Sequence, residues 1–190
     1  MIVVFEGYDG TGKTTLVDAI AKKLSYDYKV NTHTFNNRPM QKYKEKFENT
    51  DTRLLIDVAA CKEQDTILEE LVGNVPNGEI TLVDRWLMSA FAYLEADKDL
   101  LEEYLPIYNK LLDHFQEPDL IILMKSHTTE PNEHEKLVTE AYGTLIDYRH
   151  LDHTHTFVNN TSVIYNADNI ASLIRKEHAR IYGRSFRKES

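Results

Sequence analysis

The eight residues Gly7-Tyr8-Asp9-Gly10-Thr11-Gly12-Lys13-Thr14 constrain this chain more than any other stretch. They fit the pattern G-x-x-x-x-G-K-[ST]. An apolar run, Ile2 to Phe5, leads into them, and a helical pattern, Lys13 to Leu24, leads out with Leu16, Ile20 and Leu24 on one face. A strand that turns through glycines into a helix aims backbone N–H groups and the positive end of the helix at an anion. Lys13 is placed for the β- and γ-phosphates, and the Thr14 hydroxyl suits Mg²⁺. Gly10, Thr11, Gly12 and Thr15 complete the phosphate cradle. The motif predicts ATP as ligand, with Mg²⁺ as cofactor.

Short apolar runs alternate with helical patterns along the rest of the chain. Lys29 to Phe35, Ile80 to Asp84, Leu120 to Met124 and Ser162 to Tyr165 read as further strands. Helices are predicted over 52–72, 87–95, 99–115, 133–150 and 169–181, with Pro106 disturbing the third. Continuous apolar strands separated by helices predict an α/β fold with a parallel sheet covered on both faces. Ligands in such folds bind at the carboxyl ends of the strands. No repeat or linker interrupts the 190 residues, so one domain over 1–190 is expected.

Composition narrows the partners. The longest apolar runs are five residues, against roughly 20 for a membrane span, so no membrane partner is expected. No signal peptide is visible ahead of the first strand. Cys61 is the single cysteine, which rules out a disulfide framework and a paired-cysteine zinc site and fits a reducing cytoplasm. We read it as a small packing residue. Lys plus Arg number 22 against 31 Asp plus Glu, a net charge of −9, which disfavours a nucleic acid polymer as partner. Residues 175–190 run the other way, with six Lys/Arg against Glu177 and Glu189, and read as the charged end of a helix. His150, His153 and His155 read as a solvated loop.

The string from Phe5 to Thr15 resembles the thymidylate kinase family, whose loop reads F-E-G-x-D-G-x-G-K-T-T. Asp84-Arg85-Trp86-Leu87-Met88-Ser89-Ala90-Phe91-Ala92-Tyr93 is similar to the family's D-R-Y-x-x-S-x-x-A-Y. Leu54-Leu55, Ala59-Ala60, Gln64 and Pro118-Asp119-Leu120 also fit. The resemblance implies a P-loop fold with a five-stranded sheet in the order 2-3-1-4-5. It implies ATP-dependent phosphorylation of a deoxynucleoside monophosphate, dTMP to dTDP, and a homodimer. Asp84, ending a strand beside the loop, would help hold Mg²⁺, and Arg85 would bind phosphoryl oxygens. Asp9 would meet the acceptor's sugar or phosphate region, and Tyr93 would pack on the sugar and disfavour a 2′-hydroxyl. Phe35 would line the nucleotide site and Arg38 would bind the acceptor phosphate. Asn166-Ala167-Asp168 would lie against the adenine, with Ala167 at the ATP site.

Several positions depart from the family. Thr11 stands in a loop without arginine, where a mobile lid is expected to supply one. The stretch Ser126 to Glu135 is short and holds no arginine, so a shortened lid over about 126–136 is expected. Lys125, Lys136 and Arg149 flank it, and Lys136 is the expected substitute. Lys62 falls where an arginine usually reads the base, Val58 where an aromatic often stacks, and Ala90 and Leu94 where polar residues often appear. Two other activities fit parts of the pattern. A deoxynucleoside kinase would need a general base near a sugar hydroxyl, for which Glu6 is placed. A nucleotide-binding protein without turnover would follow from the missing lid arginine.

Overall fold

The computed structural model describes residues 1–34, 78–96, 117–126, 130–148, 150–159 and 162–183, together with positions 59, 63, 66, 67, 69, 70, 106 and 110. Five strands form one parallel sheet: β1 (Ile2–Glu6), β2 (Val30–Thr34), β3 (Ile80–Asp84), β4 (Leu120–Ser126) and β5 (Thr154–Asn159). Their spatial order is β2-β3-β1-β4-β5, the order expected from the sequence. Among the described residues, α1 (Lys13–Leu24), α2 (Leu87–Ala96), α3 (Glu133–Tyr148) and α4 (Val163–Tyr182) cover the sheet.

Every residue of β1 and of β3 is buried, because both sheet faces carry helices. Alternation along β1 feeds two cores. Ile2 and Val4 join Val83, Phe91, Val138 and Tyr142 under α2 and α3. Val3 and Phe5 join Leu16, Ile20, Ile170 and Ile174 under α1 and α4. The stripe at Leu16, Ile20 and Leu24 is fully buried, as its spacing predicts. No helix of the described residues is long and apolar enough to cross a membrane.

One strand differs from expectation. Ser162 to Tyr165 is not a strand: Ser162 caps α4, its side chain accepting the Tyr165 N–H at 3.2 Å. The β-branched run there faces solvent, with Ile164 and Tyr165 mostly exposed, while Ala167, Ile170, Ala171 and Ile174 form the buried stripe of the helix. The fifth strand lies earlier, pairing Ile121 with Thr154 through Ser126 with Asn159. Positions 59, 63, 66, 67, 69 and 70 are helical, in line with the helix expected over 52–72, as are Pro106 and Lys110 within 99–115. The remainder of those two stretches lies outside the described residues.

Candidate active site

The loop between β1 and α1 sits at the carboxyl ends of β1, β3 and β4, as the fold requires. Two of its glycines answer to close approaches. A Cβ at Gly7 would lie 2.2 Å from the Met124 carbonyl oxygen of β4, and Gly7 has φ 137°. Gly12, with φ 83°, would place a Cβ 2.7 Å from Asn159 Nδ2. Asn159 donates to the Thr11 carbonyl at 2.9 Å and accepts from the buried Asn166 Nδ2 at 2.9 Å. The end of β5 is thereby tied to the phosphate loop. Sequence reading missed Asn159 because the bond spans 148 residues.

Lys13 lies folded over the loop. Its Nζ donates to the carbonyls of Gly7 and Tyr8, each at 2.7 Å, and to Thr11 Oγ1 at 3.2 Å. Burial lowers its pKa to about 8, with the nearby Arg85 pushing the same way and Glu6, Asp84 and Asp9 opposing. The Thr14 hydroxyl donates to Asp84 Oδ2 at 2.5 Å. Thr14 and Thr15 are exposed at the start of α1, and Asp84 is buried at the end of β3. Thr14 and Asp84, the pair expected to hold Mg²⁺, therefore stand in contact.

Arg85 adopts a left-handed backbone, φ 71°, which a residue with a Cβ seldom takes. Its N–H donates to the Phe5 carbonyl at 2.9 Å. One guanidinium nitrogen donates to Ser89 Oγ at 3.0 Å and the other pairs with Asp9. The guanidinium carbon lies 6.0 Å from the centre of the Tyr93 ring. The Tyr93 hydroxyl accepts the Asp9 N–H at 3.1 Å. Burial, then the Asp9 charge, push the Tyr93 phenol up to about 12, so it stays protonated near neutrality. Asp9, Arg85 and Tyr93 are thus brought together beside Lys13.

Glu6 holds this turn from beneath. It is fully buried. Oε1 accepts the N–H groups of Trp86 at 2.9 Å and Ser89 at 3.2 Å. Oε2 accepts Ser89 Oγ at 2.5 Å and the Tyr142 hydroxyl at 3.0 Å. Its two backbone donors stand at the start of α2, so it satisfies N–H groups that the helix cannot. Burial drives its pKa up to about 7, against the pull of Ser89, Arg85, Tyr142 and Lys13.

Lys136 is exposed on the first turn of α3. The residue of that turn that meets the phosphate loop is His134, two positions earlier and about 200° around the helix. His134 continues the stripe of Val138, Ala141 and Leu145, a spacing that identifies it from sequence. Its Nδ1 lies 3.3 Å from the Tyr8 hydroxyl. Ala167 is fully buried within α4, packed among Ile170, Ala171 and Ile174, so it is no part of an adenine-binding loop. Ala90 and Leu94 pack against the α2–α3 core. Phe35, Arg38, Lys62, Val58, Cys61 and Arg149 lie outside the described residues. Among the described residues no group of three or more His, Cys, Asp or Glu is arranged to hold a metal ion; His150 lies in a turn and His155 in β5. Arg175 and Arg180 of the basic stretch lie on α4, paired with Asp27 at 2.8 Å and Glu177 at 2.5 Å.

Comparison with known proteins points one way. The family model described as thymidylate kinase matches residues 5–167. The chain is 28% identical over 130 residues to a thymidylate kinase of Leptospira borgpetersenii, covering 65% of this chain and 62% of that one. It is 27% identical over 127 residues to one of Staphylococcus haemolyticus, covering 64% and 63%. In both, the match spans less than two thirds of the relative's own length. The structure of a thymidylate kinase from Candida albicans superposes with a TM-score of 0.70 at 18% identity, over 93% of this chain and 92% of that one. One from Ehrlichia chaffeensis superposes with a TM-score of 0.69 at 19% identity, over 92% and 98%. These two establish likeness of fold.

Proposed function

The chain belongs to the thymidylate kinase family, and on that premise we propose that it transfers the γ-phosphoryl group of ATP to a deoxynucleoside monophosphate, dTMP giving dTDP. The observation that carries this reading is the state of Glu6. It is the carboxylate best placed by sequence to deprotonate a sugar hydroxyl, yet it is fully buried and both its oxygens accept hydrogen bonds from Trp86, Ser89 and Tyr142. A hydroxyl acceptor needs a base, whereas a phosphate acceptor presents an oxygen already ionised near neutrality. The cations Lys13 and Arg85 converge beside the loop, where Asp9 is paired with Arg85. This favours a monophosphate acceptor over a nucleoside.

In the mechanism we derive, the loop N–H groups and Lys13 take the β- and γ-phosphates, and Lys13 Nζ exchanges its bonds to the Gly7 and Tyr8 carbonyls for phosphate oxygens. Arg85 leaves Asp9 for the acceptor phosphate, with Arg38 its partner in this reading. The acceptor oxygen forms a bond to the γ-phosphorus as the bond to the β–γ bridging oxygen breaks, and ADP departs with that electron pair. Positioning and charge screening supply the rate. Thr14 Oγ1 and Asp84 Oδ2, 2.5 Å apart, are hard oxygen donors and fit Mg²⁺. Held by these two residues, the ion would help neutralise phosphate charge. Tyr93 bounds the sugar, and Phe35 and Lys62 belong to the base side. The reading includes a cytoplasmic homodimer, which sedimentation of the pure protein tests for assembly.

The test is direct. The protein is incubated with ATP, Mg²⁺ and a panel of nucleosides and monophosphates, and ADP is measured. ADP release with monophosphates, greatest with dTMP, is expected. Release with nucleosides alone, or tight ATP binding with no acceptor-dependent ADP, refutes it.

A further inference from the structure

Three aromatic rings from three separate segments meet at the mouth of the site. Tyr8 comes from the phosphate loop, Tyr93 from α2 and His134 from the first turn of α3. The Tyr8 and Tyr93 rings are near-parallel, 10° apart with centroids 6.0 Å apart. His134 lies edge-on to Tyr8 at 5.8 Å and tilted to Tyr93 at 5.8 Å, so the three centroids form a nearly equilateral triangle. Its Nδ1 is within hydrogen-bond distance of the Tyr8 hydroxyl, 3.3 Å. His134 is exposed, yet these contacts all go to residues of the site. A histidine held only by chance on a surface helix would share no such set.

From these contacts we propose that His134 is a positioning residue for the acceptor: with Tyr8 it holds the Tyr93 ring in the pose that receives the deoxynucleoside monophosphate. The inference rests on the monophosphate reading above. Tyr93 is also held by the phosphate loop and by Arg85, and of these the Arg85 contact must rearrange. Its hydroxyl accepts from Asp9 N–H, and Arg85, which pairs with Asp9, lies over its ring. When an acceptor phosphate draws Arg85 away, that support is lost at the moment the ring must stay in place. The Tyr8–His134 pair supplies the remaining wall. It also couples the start of α3 to the phosphate loop, so the acceptor pocket is set by three segments rather than two.

Binding and turnover are measured separately on the full chain. Calorimetry follows dTMP binding, without ATP, to the wild type, Tyr8→Phe, His134→Ala and the double variant. Tyr8→Phe keeps the ring and removes only the hydroxyl. We expect Tyr8→Phe to weaken dTMP binding about fivefold, the scale of one hydrogen bond, and His134→Ala to weaken it more, about tenfold, since it loses the ring contacts as well. Because each single variant breaks the same bond, Tyr8→Phe should have almost no further effect in the His134→Ala background. KM for dTMP should rise in parallel while KM for ATP and the melting temperature stay unchanged, which a merely structural role would not produce. Unchanged dTMP affinity in His134→Ala, or multiplying effects in the double variant, overturns the inference while leaving the monophosphate reading intact. A wild type that binds dTMP but yields no ADP sinks the activity and leaves the positioning role to the calorimetry. A wild type that binds no monophosphate overturns both.

Discussion

Replacing Glu6 by Gln tests the buried hub quantitatively. Burial pushes the Glu6 carboxyl from 4.5 up to about 7, and the donors and cations around it pull back only in part. A folded-state pKa above the unfolded one means that the native protein binds this proton more tightly. Glu6 therefore contributes stability that is fully present below pH 4.5 and is lost as the pH rises through about 7. The interval corresponds to about 3 kcal/mol. In Glu6→Gln the amide oxygen keeps the N–H groups of Trp86 and Ser89. The amide NH₂ donates to the hydroxyls of Ser89 and Tyr142, which rotate to accept. The variant has no charge to bury. Its stability relative to wild type should rise with pH, by about 1 kcal/mol at pH 5, about 2 at pH 6 and about 3 at pH 8. Urea unfolding read from Trp86, the single tryptophan and 1% exposed, measures this across that range. Groups remote from Glu6 titrate equally in both proteins and cancel in the difference; Lys13, whose pKa of about 8 the Glu6 charge supports, is the coupled exception. A difference that does not change between pH 5 and pH 8 refutes the reasoning.

Three further outcomes follow from the site. Lys13→Ala should cut turnover at least about a hundredfold, read as ADP release under saturating substrates, because it removes the cation of the cradle. Asn159→Ala removes the donor to the Thr11 carbonyl and the acceptor of Asn166 Nδ2, so stability should fall by about 1–3 kcal/mol. KM for ATP should rise with KM for dTMP unchanged, and steady-state kinetics separate the two. Lys136→Ala should keep turnover within about twofold, since the side chain is exposed; a loss beyond tenfold would return it to the machinery.

Much of this architecture was legible in the amino-acid order, and the reasons are physical. β1, β3 and β4 are covered on both faces, so they read as unbroken apolar runs. The glycine spacing around Lys13 is tied to one backbone path. β5 is an edge strand like β2, and unlike β2 it is passed over for the more apolar run that follows it. Thr154-His155-Thr156-Phe157-Val158-Asn159 alternates between half-buried and exposed positions. The run Val163-Ile164-Tyr165 imitates a strand while standing on the outer face of a helix, although Ser162 ahead of a helical stripe is a capping signal. At the site, residues within the two motifs were legible, and their partners were not. The donors to Glu6 come from positions 86, 89 and 142, and only folding brings them to position 6. Glu6 looks like a base when its neighbours along the chain are all that can be read.

The left-handed backbone at Arg85 bears on how such a protein would drift. Glycine or asparagine occupies that conformation at lower cost, on the order of 1 kcal/mol for a residue with a Cβ. Glycine at position 85 would relieve that backbone cost while giving up the guanidinium's bonds to Ser89 and Asp9. Arginine retained there across divergent copies would report continuing use of the site, since the backbone conformation by itself favours its loss.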